Sequence, residues 1–209
     1  MIFENREDAA LRLCGELKGE NLKNTVVVGV LRGGGYMAKL LGNCLSIPFG
    51  VLPVKKIAPP ESPESGFGAV VYDGTYIYDQ EYAKILGVDE DDIKEIVEIK
   101  LLEAKRQYEL YKEFIIEDYT SKNAILVDDG IATGYTVMAA ANFIRKHNIN
   151  NLTLAVPVAS DLAYELVKEY FDRVVCLEVV RSIYFAVGMF YRDFKQFSDE
   201  ELLEFLGKN

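Results

Sequence analysis

The sequence predicts an α/β fold, a mostly parallel twisted sheet with helices on both faces. Three observations support it: short uninterrupted Val/Ile/Leu runs recur, helical periodicity separates them, and two glycine-rich turns directly follow apolar runs. Strands buried on both faces read as continuous apolar runs, whereas half-exposed strands alternate. A chain of 209 residues is long enough to bury a core without metal or disulfide, so we expect one domain over residues 1–209.

The elements follow in alternating order. The apolar runs predict strands over residues 25–30, 49–54, 124–129, 152–158 and 173–180. Helical periodicity after three of these runs predicts helices over residues 38–45, 136–147 and 161–170. At the end of the chain, Ser198 and Glu201 have the spacing of a capping box, which predicts a last helix over residues 198–206.

Residues 57–114 interrupt this order. Three of the six prolines stand within residues 57–65, and alternating residues then surround Asp73-Gly74, a strong hairpin turn signal. A highly charged helix is predicted over residues 89–114, with its apolar positions on one face. The segment is either a lid insertion over a site or a solvated surface helix, and prolines and charge near a predicted site favour the lid. One face of this helix carries three charged residues, Lys100, Glu103 and Arg106. Either they reach the site when the lid closes, or they form ordinary salt links along the helix.

Charge and hydropathy exclude several classes of protein. A net charge of −10 disfavours broad contact with nucleic acid or an anionic membrane, so a polyanionic ligand has to be held locally. No apolar run approaches the roughly 20 residues that cross a bilayer, and charges occupy the place of a signal peptide's apolar centre. We therefore expect a cytoplasmic protein without membrane contact.

The three cysteines, Cys14, Cys44 and Cys176, lie far apart and have no CxxC spacing. This pattern predicts neither a disulfide framework nor a zinc site. We expect all three to be small core residues.

The first glycine-rich turn follows the strand at residues 25–30. Residues 33–38 satisfy the dinucleotide pattern G-x-G-x-x-[GA], but a nicotinamide site also needs an acid about 20 positions on. Two lysines occupy that place, so the dinucleotide hypothesis is rejected. Fixed positive charge and bare amides suit a pyrophosphate better. The predicted pyrophosphate site consists of Leu31, Arg32, Gly33, Gly34, Lys55 and Lys56.

The second turn follows the strand at residues 124–129. Asp128 and Asp129 leave that strand together, and paired carboxylates accept from ribose hydroxyls or hold a metal through its waters. Small residues and hydroxyls then lead into a helix start, which favours an anion. The alternative is that the threonines are ordinary helix caps and the two acids a turn with satisfied hydrogen bonds. The predicted ribose-phosphate site adds Ala132, Thr133, Gly134, Tyr135 and Thr136 to the two acids.

At these residues the chain resembles the type I phosphoribosyltransferases. VDDGIATGYT (residues 127–136) is similar to the family's ribose-phosphate motif, and LRGG (residues 31–34) to its pyrophosphate loop, which often contains a non-proline cis peptide. YFAVGMFYRDF (residues 184–194) resembles the hood over the base in purine enzymes, so we expect a hood over residues 178–197. The whole chain most resembles a group of phosphoribosyltransferases predicted from sequence.

The resemblance implies that phosphoribosyl pyrophosphate and Mg²⁺ bind and that the phosphoribosyl group passes to a nitrogen base. It implies catalytic roles for Arg32, Asp128 and Asp129, and a metal site of these two acids with Asp193. Phe185, Val187 and Tyr191 are predicted at the base, although Phe185 and Val187 suit a core equally well. Related folds often pair, so a homodimer is a candidate assembly.

Two departures leave the base open. Ala132 stands where hypoxanthine-guanine enzymes of the family carry a third acid, which resembles adenine enzymes instead. The lysine that those 6-oxopurine enzymes place before the hood is missing, and only Arg181 is charged there. The alternative to an enzyme is a regulator that keeps the fold and binds phosphoribosyl pyrophosphate or a nucleotide as a signal. Such proteins usually add a nucleic-acid-binding domain or a basic face, and this acidic sequence shows neither.

Overall fold

The computed structural model describes residues 2–63, 65–182 and 184–207 and confirms the α/β fold. Its main sheet has five parallel strands in the order β2-β1-β6-β7-β8. These strands are β1 (Thr25–Val30), β2 (Phe49–Leu52), β6 (Asn123–Val127), β7 (Asn151–Ser160) and β8 (Arg173–Val180). Two of the predicted strands, residues 25–30 and 173–180, have the bounds that the sequence indicated.

The pairing of β1 with β6 positions the two glycine-rich turns. Thr25 pairs with Asn123 and Gly29 with Val127, so both strands run in step and end at the same edge of the sheet. Ligands of open α/β sheets gather at the carboxyl ends of such strands. The turns after β1 and β6 therefore leave the sheet side by side.

Helices cover both faces of the main sheet. On one face lie α1 (Arg6–Leu17) and α2 (Gly33–Leu45), with α7 (Asp199–Leu206) packed against α2. On the other face lie α5 (Tyr135–Arg145) and α6 (Asp161–Val167). Alternate residues of a strand point to opposite faces, so Val27 joins the core under α1 and α2, while Val28 joins the core under α5.

The expected strand over residues 49–54 is wrong as a single element. It breaks at Pro53, which has no N–H for a ladder hydrogen bond, and the chain passes into a second, antiparallel sheet. That sheet consists of β3 (Val54–Ile57), β4 (Gly68–Val71) and β5 (Tyr76–Tyr78). The predicted hairpin turn lies between β4 and β5, with Gly74 at a φ of +91°.

The predicted charged helix is shorter than residues 89–114. A short α3 (Gln80–Ile85) precedes α4 (Glu90–Tyr111), which Asp89 and Asp92 begin with a capping box. Ile93 and Ile96 pack on β3 and β4, so the one-sided apolar face is confirmed.

The expectation about the cysteines is wrong for two of them. Cys14 of α1 and Cys44 of α2 form a disulfide with a Cα–Cα distance of 6.4 Å. The sequence separation of 30 residues hides this proximity, which arises only because the two helices pack side by side. Cys176 is a free thiol, and burial raises its pKa to about 11. Within the described residues no helix combines the length and the apolar character needed to span a membrane.

Candidate functional site

A cavity of about 380 Å³ opens where the turns after β1 and β6 meet. It contains members of both predicted half-sites, so the structure joins the glycine-rich turn, the two lysines and the two acids in one place. Sequence reasoning missed Arg6, Gln107, Phe194 and Gln196. The lining residues are Arg6, Leu31, Arg32, Gly33, Val54, Lys55, Lys56, Gln107, Asp128, Asp129, Thr136, Phe194 and Gln196.

Asp128 and Asp129 follow the last residue of β6 and are held by the turn itself. The backbone N–H of Asp129 donates to Oδ1 of Asp128 at 2.9 Å. Burial and the neighbouring Asp129 charge raise the pKa of Asp128 well above its usual range. Two adjacent carboxylates at the end of an apolar strand therefore carry a charge that a cation or a hydroxyl donor would stabilise.

Arg6 pairs with one of these acids. Its Nε and Nη2 lie 2.8 and 2.7 Å from Oδ2 of Asp129, and its Nη1 donates to the carbonyl of Lys195 at 2.6 Å. Arg6 is only 5% exposed, with the Phe194 ring 4.0 Å from its guanidinium carbon. Burial raises the pKa of Asp129 too, and Arg6 opposes that rise. Asp129 is thus neutralised locally, and Asp128 is the less compensated acid of the pair.

The predicted base residues lie beside the acids but pack into the core. Tyr191 is 6% exposed, and its hydroxyl donates to the backbone carbonyl of Asp129 at 2.6 Å. Phe185 stacks on Phe190 with ring centroids 5.2 Å apart. A Cβ built on Gly130 would lie 2.7 Å from Val187. Tyr191 and Val187 therefore pack against the turn that contains the two acids.

The glycine turn approaches the acids too closely for any side chain. The Leu31-Arg32 peptide is cis, as the resemblance implied for this loop. A Cβ on Gly33 would lie 2.0 Å from Oδ2 of Asp129, and one on Gly34 would lie 2.4 Å from the carbonyl of Val127. Because atoms at these distances overlap, the two turns can pack only with glycine at both positions.

The predicted cations also line this cavity. Arg32 lies 3.9 Å from Asp199, whose carboxylate also accepts from Tyr111 at 2.8 Å and from Gln107 at 3.2 Å. Burial lowers the pKa of Lys55, while Lys56 is exposed. The cavity therefore contains both positively and negatively charged side chains.

The loop after β6, which the sequence predicts to bind a ribose phosphate, ends at the start of α5. Gly134 precedes the helix at a φ of +85°, and no side chain of the described residues caps it, so the threonines are not helix caps. Thr136 lines the cavity, whereas Ala132 is exposed and Thr133 half-buried. The hydroxyl of Tyr135 donates to Asp79 at 3.0 Å, which directs this side chain to residues 57–114. The helix start therefore offers backbone N–H groups to an anion.

Asp193 lies apart from this arrangement. It lines a neighbouring cavity with Asn5, Glu7 and Tyr36, and Arg6 borders both cavities. The described part of the chain contains no group of three or more His, Cys, Asp or Glu side chains that could hold a metal. A metal at the acids would therefore take most of its ligands from water or from a bound substrate.

A model of the family described as "Phosphoribosyl transferase domain" matches residues 2–193. A Mycobacterium tuberculosis protein named "Putative phosphoribosyl transferase" is 35% identical over 208 residues, 99% of this chain and 47% of that protein. The chain thus spans about half the length of the curated relatives it matches.

Solved structures show the same fold. TT1426 from Thermus thermophilus has a TM-score of 0.78 and 29% identity, over 99% of this chain and 98% of that one. The APRTase from Giardia lamblia has a TM-score of 0.50 and 15% identity, over 85% of this chain and 80% of its own. The latter likeness concerns the fold alone.

Proposed function

Because the chain belongs to the phosphoribosyl transferase domain family, we propose that it moves the phosphoribosyl group of phosphoribosyl pyrophosphate to a nitrogen base and releases pyrophosphate. The main support for this proposal is that the glycine turn after β1 and the acidic turn after β6 line a single cavity. Two loops of the kind that bind anions therefore lie beside two acids in one place, which supports the proposal.

The 5-phosphate would bind at the start of α5. Backbone N–H groups of the first helical turn and the hydroxyl of Thr136 supply donors, and the positive end of the helix dipole favours the phosphate charge. Ala132, Thr133, Gly134 and Tyr135 contribute through their backbone.

The pyrophosphate would bind at residues 31–34 with Lys55 and Lys56. Arg32 supplies a fixed positive charge, and the bare glycines let the phosphate approach the backbone. Charge that develops on the leaving pyrophosphate is stabilised by these cations, which is the role we assign to Arg32 as a catalytic residue.

The acids would bind the ribose and a magnesium ion. Carboxylate oxygens are the ligands Mg²⁺ prefers, and it commonly uses one or two carboxylates together with substrate phosphates, which suits a pair without a third acid. Asp128 and Asp129 would hold it; when bound, it supplies positive charge against the pyrophosphate oxygens. The acids also favour the positive charge that develops on the ribose ring.

Two segments complete the proposal. Residues 57–114 act as a lid that keeps water from competing as the nucleophile. Residues 178–197 form a hood in which Phe185, Val187 and Tyr191 shape the wall near the base. Asp193, which lines the neighbouring cavity, stays a predicted ligand of the metal. A homodimer and a cytoplasmic location stay predictions.

Catalytic turnover with a nitrogen base tests the proposed function. Protein, Mg²⁺ and phosphoribosyl pyrophosphate are incubated with a panel of nitrogen bases, and pyrophosphate release is measured against the Asp128→Asn variant. We expect release with at least one base and its loss in the variant. Tight binding of phosphoribosyl pyrophosphate without turnover on any base would contradict an enzyme and favour a regulator with the same fold.

A further inference from the structure

A second cavity of about 500 Å³ lies between the proline-rich segment after β3 and the side of α4, and we name it the proline cavity. Its volume is in the range of sites for small organic ligands, about 300 to 1,000 Å³. It is lined by Lys55, Lys56, Ala58, Pro59, Pro60, Pro63, Ile96, Ile99, Lys100 and Glu103.

The walls of the proline cavity are mostly apolar. Ala58, Pro59 and Ile96 are buried, and Ile99 is 49% exposed at its edge. Apolar surface that stays open to water costs free energy, about 25 cal/mol per Å². An apolar body that covers Ile99 and the prolines would recover part of that cost.

One end of the cavity carries an excess of positive charge. Lys100 is paired with Glu103 at 2.8 Å, and Lys55 and Lys56 also belong to the lining. Lys55 is on the face of the second sheet that packs on α4, because its partner Val70 packs there with Ile93 and Ile96. Lys55 is half-buried, and burial lowers its pKa, which means that its charge is poorly solvated where it stands. An anion beside Lys55 would compensate for the lost water.

Gly66 lies beside the aliphatic part of the Lys56 side chain. A Cβ built on Gly66 would lie 2.5 Å from Cδ and 2.6 Å from Cγ of Lys56, so only a glycine leaves room for this lysine side chain. Lys55 and Lys56 also line the cavity that contains the acids. The two cavities therefore adjoin at this pair of lysines.

We propose that the proline cavity binds a small ligand with an apolar body and an anionic group such as a carboxylate. The body lies against the prolines, Ile96 and Ile99, and the anionic group lies beside Lys55, at the end of the cavity that Lys100 also lines. The lining of this cavity favours such a ligand whether or not the chain transfers phosphoribosyl groups.

The experiment uses the full chain and two fluorinated probes. Binding of 4-(trifluoromethyl)benzoate is followed by ¹⁹F NMR in buffer without phosphate, beside the uncharged 4-(trifluoromethyl)benzamide. We expect the benzoate to bind about tenfold or more tightly than the amide, the factor that one charge-assisted hydrogen bond supplies. Equal binding of the two probes, or no binding of the benzoate at about 10 mM, would overturn the proposal.

A matched pair of variants locates the probe. Ile99→Glu puts a carboxylate in the apolar wall, whereas Leu102→Glu puts the same charge three residues on, outside the lining, at a side chain that is 59% exposed. We expect Ile99→Glu to lower the affinity for the benzoate at least about tenfold and Leu102→Glu to change that affinity less than about twofold. Both side chains are on the helix surface, and circular dichroism checks that both variants are folded. The same loss in both variants would place the probe elsewhere and reject the site.

Discussion

Replacing Arg6 by methionine should destabilise the chain severely although α1 stays intact. The variant keeps an unbranched side chain as far as the position of Nε, but it removes the guanidinium that contacts Asp129, a side chain only 15% exposed, at 2.7 and 2.8 Å. Removal of one partner of a buried ion pair costs about 3 to 5 kcal/mol, against a total free energy of unfolding of about 5 to 15 kcal/mol. The lost hydrogen bond to the Lys195 carbonyl and the lost contact with Phe194 are part of the same cost.

Urea unfolding in EDTA, followed by circular dichroism, measures this cost. Arg12→Met is the control, because Arg12 lies on the same helix, is 41% exposed and pairs with Asp8 at 2.8 Å. An exposed pair contributes about 0.2 to 1 kcal/mol, so the control should lose no more than that.

A double-mutant cycle separates the ion pair from lost packing. Asp129→Asn alone leaves the Arg6 charge uncompensated, whereas the double variant removes both charges together. The double variant should therefore lose at least about 2 kcal/mol less than the sum of the single variants. Additivity within about 0.5 kcal/mol would refute the view that Arg6 acts through Asp129.

The remaining predictions concern the glycine turn, the acid pair and the disulfide. Gly33→Ala should lower the affinity for phosphoribosyl pyrophosphate at least about tenfold in calorimetry, because the added Cβ would overlap the acidic turn. Gly15→Ala, at a position with open space around it, should leave that affinity unchanged. Since the pKa of Asp128 is raised, the folded chain binds more protons than the unfolded chain, so this group's stabilisation is present below pH of about 4 and is lost as pH rises. In metal-free buffer Asp128→Asn should therefore raise the Tm at pH 7 and flatten its pH dependence; a lower Tm at pH 7 would contradict this. Reduction of the Cys14–Cys44 disulfide, which spans 30 residues, should lower the free energy of unfolding by about 3.5 kcal/mol in a loop-entropy model, and an unchanged urea midpoint would argue against the bond.

The strands and turns were predictable because their causes are local. β1 and β8 are continuous apolar runs, and Asp73-Gly74 sets its own turn by short-range geometry. Both halves of the site were recognisable for the same reason, since a glycine turn and an acid pair each follow an apolar run. The structure added that the two halves share a cavity, which follows from the pairing of β1 with β6.

The missed features depend on contacts between distant residues. Arg6 and Asp129 are 123 positions apart, and no local pattern marks an arginine in the first turn of a helix as the partner of a particular acid. The Cys14–Cys44 bond depends in the same way on the packing of two helices. Pro53 carried a local signal, because proline cannot donate within a ladder, and that signal would have divided the strand at residues 49–54 correctly.

Of the three charged residues considered on the predicted helix face, Lys100 and Glu103 form the i,i+3 salt link and line the proline cavity, while Arg106 is exposed. Helical spacing groups such residues but does not give the rotation of the helix against the sheet. That rotation is set by the buried positions Ile93 and Ile96.

Calorimetric titration of phosphoribosyl pyrophosphate in Mg²⁺ shows whether the acidic turn and the glycine turn form one ligand site. The comparison is between the unchanged chain, the double variant Asp128→Asn/Asp129→Asn, and Asp91→Asn, whose carboxylate is 91% exposed on α4. We predict binding by the unchanged chain and by Asp91→Asn, and a loss of at least about a hundredfold in the double variant. An affinity that is unchanged in the double variant would show that the ligand binds elsewhere.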